Sequence, residues 1–417
     1  MLNSVTKFSL WIFIFSISWS SALYRMSLLS LLICFTFYIV SDFFSRKNSI
    51  SINNIWRLNV DVYWIWPLLL TFWVFISCTW SPADPDLYYF DTGRYLKLLM
   101  VPVLAILIKK IIDENVYQVI WPFSIGVVVL MTPTFIDYFE IFHILGLDNI
   151  DKGNASYSRD STLGLNLVYW RNQIVHGFSV SLLFGIMMMT MPKHGKIKYL
   201  HIVIASLCVF DVFNLIVGKM ALISMITSIL LVILLSPINK ENKFKILFLA
   251  LLLIIIFFIF NDEGRQRLHI LWLDTKGYFF SNNNLTSIGT RWHYWHQSIE
   301  IFIENPLFGA GSGSFRHSLI ATNDSHLGYS HYHTHNEYLT QLSQFGVIGF
   351  ILFMGNFILM IMAIKSHPDS KFRKIIWLVV VIFLLNSFSD SSLHNEWEGW
   401  TLVIFFALAI ANKLRFR

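Results

Sequence analysis

Three histidines at alternate positions, His331, His333 and His335, stand just ahead of an apolar run that begins at residue 337. Imidazole has an ordinary pKa of about 6.5, so near pH 7 a neutral ring can take a proton from a hydroxyl; it is also a common metal ligand. The three rings share a face only if the segment is extended. Asn336 and Glu337 begin a helix that turns the last ring away, and no cysteine or carboxylate is spaced nearby to complete a metal site. The residues therefore favour His335 as a proton acceptor over zinc binding, and no metal or other cofactor is expected. A histidine merely satisfied at a membrane surface is the bland alternative and stays open. Ionisable groups at the mouth of an apolar helix are costly to desolvate and tend to mark a pathway or a reaction centre.

Cationic side chains supply the other half of such a site. Lys219 follows Gly218 at a tight turn between two apolar runs, where a charge needs an anionic partner, or water reached by snorkelling. Arg291 keeps its charge at any physiological pH and can grip a phosphate through two parallel hydrogen bonds. Arg171, beside Asn172 and close to His176, is a third candidate. Asp390, at the end of a late apolar run, could hold a histidine or a cation in place. Apart from Asp211 and Lys219 the apolar runs carry few charges, and a structural hydrogen bond explains Asp211 better than a proton relay. The segment Gly309-Ala310-Gly311-Ser312-Gly313 looks like a phosphate loop, but such loops follow a strand and open a helix. This one follows a predicted helix, so a turn of close backbone approach is expected. Gly346 and Gly349 read as small residues that let the histidine-bearing helix settle against a neighbour. Asn336 is placed to cap that helix and orient His335.

The elements that must position these groups are membrane helices. The chain has 417 residues, 55% hydrophobic, 17% aromatic and only 13% charged, far from a soluble balance. A span needs about 20 apolar residues. About twelve such runs lie near 8–23, 26–44, 62–80, 89–108, 117–137, 174–191, 198–217, 219–236, 244–260, 337–364, 374–389 and 397–413. The expected fold is an all-α polytopic integral membrane protein, one membrane domain over residues 1–417. The first run feeds straight into the second, which argues against a cleavable signal peptide. Lysine and arginine collect in alternate connections, among them Lys109 and Lys110, Lys193 to Lys198, Lys240 to Lys245 and Lys365 to Lys374. That side is predicted to be cytoplasmic, with both termini on it. The net charge of +6 thus has a topological origin and implies no nucleic-acid partner. The three cysteines all fall in apolar runs, where a thiol behaves as a small hydrophobe.

On the opposite side lie two long connections, about 138–173 and 261–336. In the second, inserted between the ninth and tenth runs, Thr290 can cap an amphipathic helix near 291–303 with Trp292, Trp295, Ile299 and Phe302 at helical spacing, stopped by Asn305-Pro306. It would lie at the membrane interface or pack on the roof of the bundle.

Taken together, these motifs resemble the O-antigen ligases and the related polysaccharide polymerases and O-linked oligosaccharyltransferases that share the Wzy-C domain. The resemblance rests on His335-Asn336, nine residues, then Gly346-Val347-Ile348-Gly349-Phe350; on Gly289-Thr290-Arg291-Trp292; and on Asn305-Pro306-Leu307-Phe308-Gly309. Gly218-Lys219 falls where many members carry arginine after a small residue; lysine keeps the charge and loses the fork. By motif it covers roughly residues 200–360, and by length, span count and outward loop the whole chain. It implies a GT-C-like membrane glycosyltransferase with a large periplasmic loop, in the bacterial inner membrane, using an undecaprenyl-pyrophosphate-linked glycan as donor. The reaction it implies is metal-independent and inverting, with His335 as base and Arg291, Lys219 and Arg171 on the pyrophosphate. His333, Asn336, Asp390, Gly346 and Gly349 would support them. A ligase, passing finished O-antigen to a lipid A-core acceptor, is the leading reading, with a polymerase as the alternative. A protein-directed oligosaccharyltransferase is a less favoured reading, its chains often being longer, and a transporter fits less well since no internal repeat is visible.

Overall fold

A computed structural model describes residues 2–46, 62–112, 115–139, 173–216, 218–281, 286–321, 333–411 and 413. Among these residues every regular element is a helix. The first half contains α1 (Leu2–Ser16), α2 (Ser21–Arg46), α3 (Val62–Ser77), α4 (Pro85–Tyr95), α5 (Met100–Ile112) and α6 (Tyr117–Tyr138). A 3-10 turn, Leu96–Leu99, joins α4 to α5. After them come α7 (Gln173–Thr190), α8 (Lys196–Phe210) with a π turn at Asp211–Leu215, α9 (Lys219–Leu235) and α10 (Lys240–Phe260). The remainder comprises α11 (Asp262–Ser281), α12 (Ser287–Glu304), α13 (Ser314–Ala321), α14 (Glu337–Ile364), α15 (Ser370–Asn386) and α16 (Glu396–Ala411).

Every apolar run read from the sequence overlaps a helix. Six helices among the described residues are by themselves long and apolar enough to cross a bilayer, within α2, α6, α7, α8 with its π turn, α10 and α14. Helix α10 makes the solvent plain. None of its residues is buried, and Phe244, Phe248 and Phe260 are 72%, 62% and 78% exposed. An apolar surface of that extent is stable only against lipid tails. At the other extreme, Leu402 to Ala411 of α16 are all buried, as is most of α7. The protein is therefore a multi-pass membrane bundle with α7 and α16 inside it and α2 and α10 on its rim.

The connection between α10 and α14 departs from expectation. Much of it is helical: α11 continues almost directly from α10, and α12 and α13 follow. The predicted amphipathic helix begins earlier than expected, at Ser287, because Thr286 rather than Thr290 is the cap, its hydroxyl accepting from the Gly289 N–H at 3.0 Å. It ends at Asn305 as the Asn-Pro step requires. Tyr294, Gln297, Ser298 and Ile301 face inward, while Ile299 and Ile303 remain exposed. Helix α12 lies against α14, which also packs on α3.

The buried charges are another correction. Besides Asp211, the interior holds Asp91, Lys97, Glu337 and Glu398. Asp211 does have a structural partner, His176 Nε2 at 2.8 Å from its Oδ2.

Gly346 does something other than helix packing. Its φ of 66° and ψ of −168° interrupt α14, a conformation open essentially to glycine alone. The interruption accepts the glycine loop. Ala310 N–H and Gly311 N–H donate to Ser343 O and Gln344 O, each at 2.9 Å, and Val347 N–H donates back to Pro306 O at 2.9 Å. Gly309, Gly311 and Gly313 all have positive φ and carry the chain past α14, the end of α3 and α4 in turn at backbone contact. A Cβ on Gly346 would stand 2.3 Å from Leu307 O and 2.6 Å from Gly309 N. We expect Gly346→Ala to destabilise the fold by about 2 kcal/mol or more, from strain and clash together. Thermal unfolding of the purified protein reads this, and an unchanged transition would contradict the assigned conformation. Gly349, by contrast, has ordinary helical geometry and lies against Trp73 of α3.

Candidate active site

His335 is held at the entrance of α14 by the residue that follows it. Asn336 caps the helix, its Oδ1 accepting from Leu339 N–H at 3.1 Å. Thr334, fully buried, donates its hydroxyl to Asn336 O at 2.6 Å and closes the turn. Between them His335 takes φ of +52°, a left-handed conformation unusual for a side chain of this size. Strain of this kind persists where surrounding contacts over-determine it, and it concentrates at functional sites. His335 N–H contacts His333 Nδ1 at 3.3 Å, and the two rings lie 4.4 Å apart. From α12, the ring of Tyr294 stacks parallel to His335, with centroids 6.2 Å apart and planes within 3°.

One carboxylate serves both histidines. Asp390 Oδ1 lies 3.4 Å from His335 Nδ1 and 3.6 Å from His333 Nδ1. Both separations are longer than a well-formed hydrogen bond. With Nδ1 facing Asp390, Nε2 of His335 is the nitrogen that can meet a substrate hydroxyl. Asp390 itself is fixed by Ser391 N–H on Oδ1 and by the Asn395 amide on Oδ2, each at 2.9 Å. Burial pushes its carboxyl up, but the contacts from His335, His333 and Asn395 outweigh burial and hold it well below the usual carboxylate range. It stays ionised at neutral pH.

The loop that carries Asp390 is polar yet buried, and its partners explain why it can be. Ser387 O accepts from Glu337 N–H at 2.8 Å, which sets the end of α15 level with the start of α14. Glu337 Oε2 accepts from Leu393 and His394 N–H at 2.9 and 3.3 Å. Lys97 donates to the carbonyls of Leu393 and Asn395 at 2.9 and 2.6 Å. His394 pairs with Asp91 at 3.2 Å, and its ring lies 5.5 Å from that of His333. Glu337, Lys97, Asp91 and His394 thus belong to the site's frame, and the sequence reading missed them. A signal existed for three: Asp91 and Lys97 lie in the run 89–108 and Glu337 opens the run 337–364, where a buried charge demands a partner.

The expected cations separate into three cases. Arg291 is half-buried one turn before Tyr294, on the helix that touches His335, and lies within electrostatic range of Lys219. Lys219 is 3.8 Å from Asp274 of α11, so its charge is already matched in part. Arg171, like His331, lies outside the described residues.

Asp390 also corrects the metal argument, because a carboxylate does reach the histidines. The donor atoms of His333, His335 and Asp390 all lie within 4.8 Å of one another, a set that could hold a cation. The base reading predicts that transfer is unchanged after exhaustive chelation. A loss restored by added Zn²⁺ would replace proton transfer at His335 with metal ligation.

Fold and site together define a class: a helical multi-pass membrane protein with a histidine–carboxylate cluster at the mouth of one helix. Residues 202–354 match the Wzy_C family model, described as O-antigen ligase. That stretch contains Lys219, Arg291, His333, His335, Asn336, Gly346 and Gly349, so the resemblance drawn from the motifs holds where they lie. No curated protein matches the chain. The match supports a membrane enzyme of the O-antigen ligase or related polymerase kind.

Proposed function

We propose that the protein is an O-antigen ligase, moving glycan from undecaprenyl pyrophosphate to a lipid A-core acceptor at the periplasmic face of the inner membrane. The observation that carries this reading is the strained His335, set between the Asp390 carboxylate and Tyr294 on the helix of Arg291, all but Asp390 within the matched segment. In the reaction an acceptor hydroxyl oxygen attacks the anomeric carbon of the donor. Its proton passes to Nε2 of His335, and Asp390 stabilises the imidazolium. The bond to the pyrophosphate oxygen breaks with its electron pair, and configuration inverts. Arg291 meets the charge that develops on the leaving group. Lys219 assists from the facing turn, and Arg171 is a third cation for the same role.

Of the two, only Arg291 can grip the leaving group through a fork. Arg291→Lys should then lower transfer roughly tenfold, because a point charge replaces a two-pronged grip. Transfer at the wild-type rate would remove Arg291 from the leaving-group site. The function itself is tested by deleting the gene in its host and restoring it, then resolving lipopolysaccharide and undecaprenyl-linked glycan by gel and mass. Bare lipid A-core with long glycan retained on undecaprenyl pyrophosphate is the expected outcome of deletion. Core capped by a single repeat would instead identify a polymerase of the same chemistry.

A further inference from the structure

Behind the loop of Asp390 lies a cavity that the transfer chemistry does not use. It encloses about 300 Å³ between the first turns of α2 and α16 and the joint of α4 with α5. Its polar lining consists of Tyr24, Arg25, Arg94, Lys97 and Glu396, with the Tyr24 hydroxyl donating to Glu396 and accepting from Arg25. Two arginines, whose charge persists at any physiological pH, face one carboxylate. Arg25 pairs with Glu396 at 2.9 Å and Arg94 lies over the Phe90 ring at 4.6 Å. Lys97 is turned to the backbone of Leu393 and Asn395, so a single loop separates this cavity from the histidines.

The order of residues along the three elements gives the cavity a direction. Each runs inward from the same end of the bundle, because α2 and α5 finish at basic residues, Arg46 and Lys109 with Lys110, and α16 finishes just short of Lys413. Arg25 and Glu396 stand near the starts of α2 and α16, and Arg94 at the end of α4. Leu28, Met100 and Trp400 come one turn or more further on and Leu96 two residues after Arg94; these four form the apolar part of the lining. Leu96 is 49% exposed, so this side opens toward lipid. Cationic at the headgroup level and apolar below, the cavity has the polarity of a phospholipid-like molecule entering sideways from the bilayer.

We propose that this cavity binds a phosphate borne on a membrane lipid, through Arg25 and Arg94. Two sources share that chemistry: a phosphorylated glycolipid acceptor, and an ordinary anionic phospholipid. The acceptor assignment alone rests on the transferase reading. Lipid binding does not, so it is measured without turnover.

The test uses the full-length protein in detergent and native mass spectrometry, with lipid A, phosphatidylglycerol and phosphatidylcholine as probes at equal concentration. Lipid A and phosphatidylglycerol should be retained over phosphatidylcholine. Arg25→Gln and Arg94→Gln should each weaken that retention about tenfold, the worth of a charge-assisted hydrogen bond. Glu396→Gln supplies the opposite sign: removing the opposing carboxylate should tighten retention. A purely structural role would make all three variants worse or leave all three alike, and either result overturns the proposal, as does equal retention of phosphatidylcholine. Preference for lipid A over phosphatidylglycerol assigns the acceptor, and equal retention of the two assigns bulk anionic lipid. Competition by millimolar inorganic phosphate, without need of an acyl chain, would also overturn a lipid site.

Discussion

Replacing His335 by alanine should abolish glycan transfer, by a factor on the order of 10² to 10⁴, while the protein still inserts and folds. The magnitude is that of a general base lost from a reaction whose nucleophile is a neutral hydroxyl. Folding should survive because little of the frame depends on the ring. Helix α14 is capped by Asn336, the turn is closed by Thr334, and the Asp390 loop is held by Glu337 and Lys97. Removing a side chain from a left-handed position gives no strain relief comparable to glycine, so His335→Gly is the informative second variant. It should be equally inactive yet at least as stable. Purified protein with lipid-linked donor and acceptor gives the rate, and detergent unfolding gives the stability. Robust transfer by His335→Ala sinks the base role whatever the glycan chemistry proves to be.

How much of this was legible beforehand depends on the range of the interaction. Apolar runs are local, and each of them overlaps a helix. Helix α11 escaped because Asp262–Ser281 mixes Arg265, His269, Asp274 and Lys276 with Leu268, Trp272 and Leu273, giving neither a span nor a clean stripe. The helix at 287–304 is legible but its cap is not, since Thr286 and Thr290 both precede helix-compatible residues and only the fold selects Thr286. Gly346 was legible as important and misread in kind. Spacing within a helix suggests close packing, and no sequence pattern displays a positive φ.

The site divides along the same line. His335 and Asn336 declare themselves by type and position. That His333 shares a carboxylate with His335 depends on α14 leaving one face of the bundle and α15 returning to it, and only the return brings Asp390 alongside. The Glu337–Ser387 backbone hydrogen bond is the point where that return is fixed. Asp390 is legible as a possible holder of a histidine, yet spacing along the segment of His331 to His335 shows no carboxylate near the rings. The two facts meet only in the fold, because 55 residues separate His335 from Asp390. Asp91 and His394 are still farther apart along the chain, on elements that meet only through the packed bundle.

Asp390→Asn should be the next most damaging change, lowering transfer about a hundredfold although no substrate atom need touch it. The carboxylate fixes the ring of His335 with Nδ1 inward and stabilises the imidazolium formed when the proton arrives; an amide keeps the shape and loses the charge. A positioning role predicts more than a lower rate. The loss should fall on kcat with KM little changed, because the carboxylate acts through the ring and not on the substrate. The effect on stability has its own sign. Because the folded-state value of Asp390 is depressed, its contribution is complete above the unfolded carboxylate value of about 3.9 and is lost as pH falls below it. Wild type should therefore lose stability relative to Asp390→Asn on acidification below about pH 4, and the gap between them should be widest near neutrality. If the variant transfers glycan at the wild-type rate, or loses it only through KM, Asp390 is part of the loop's packing and the two histidines are oriented by something else.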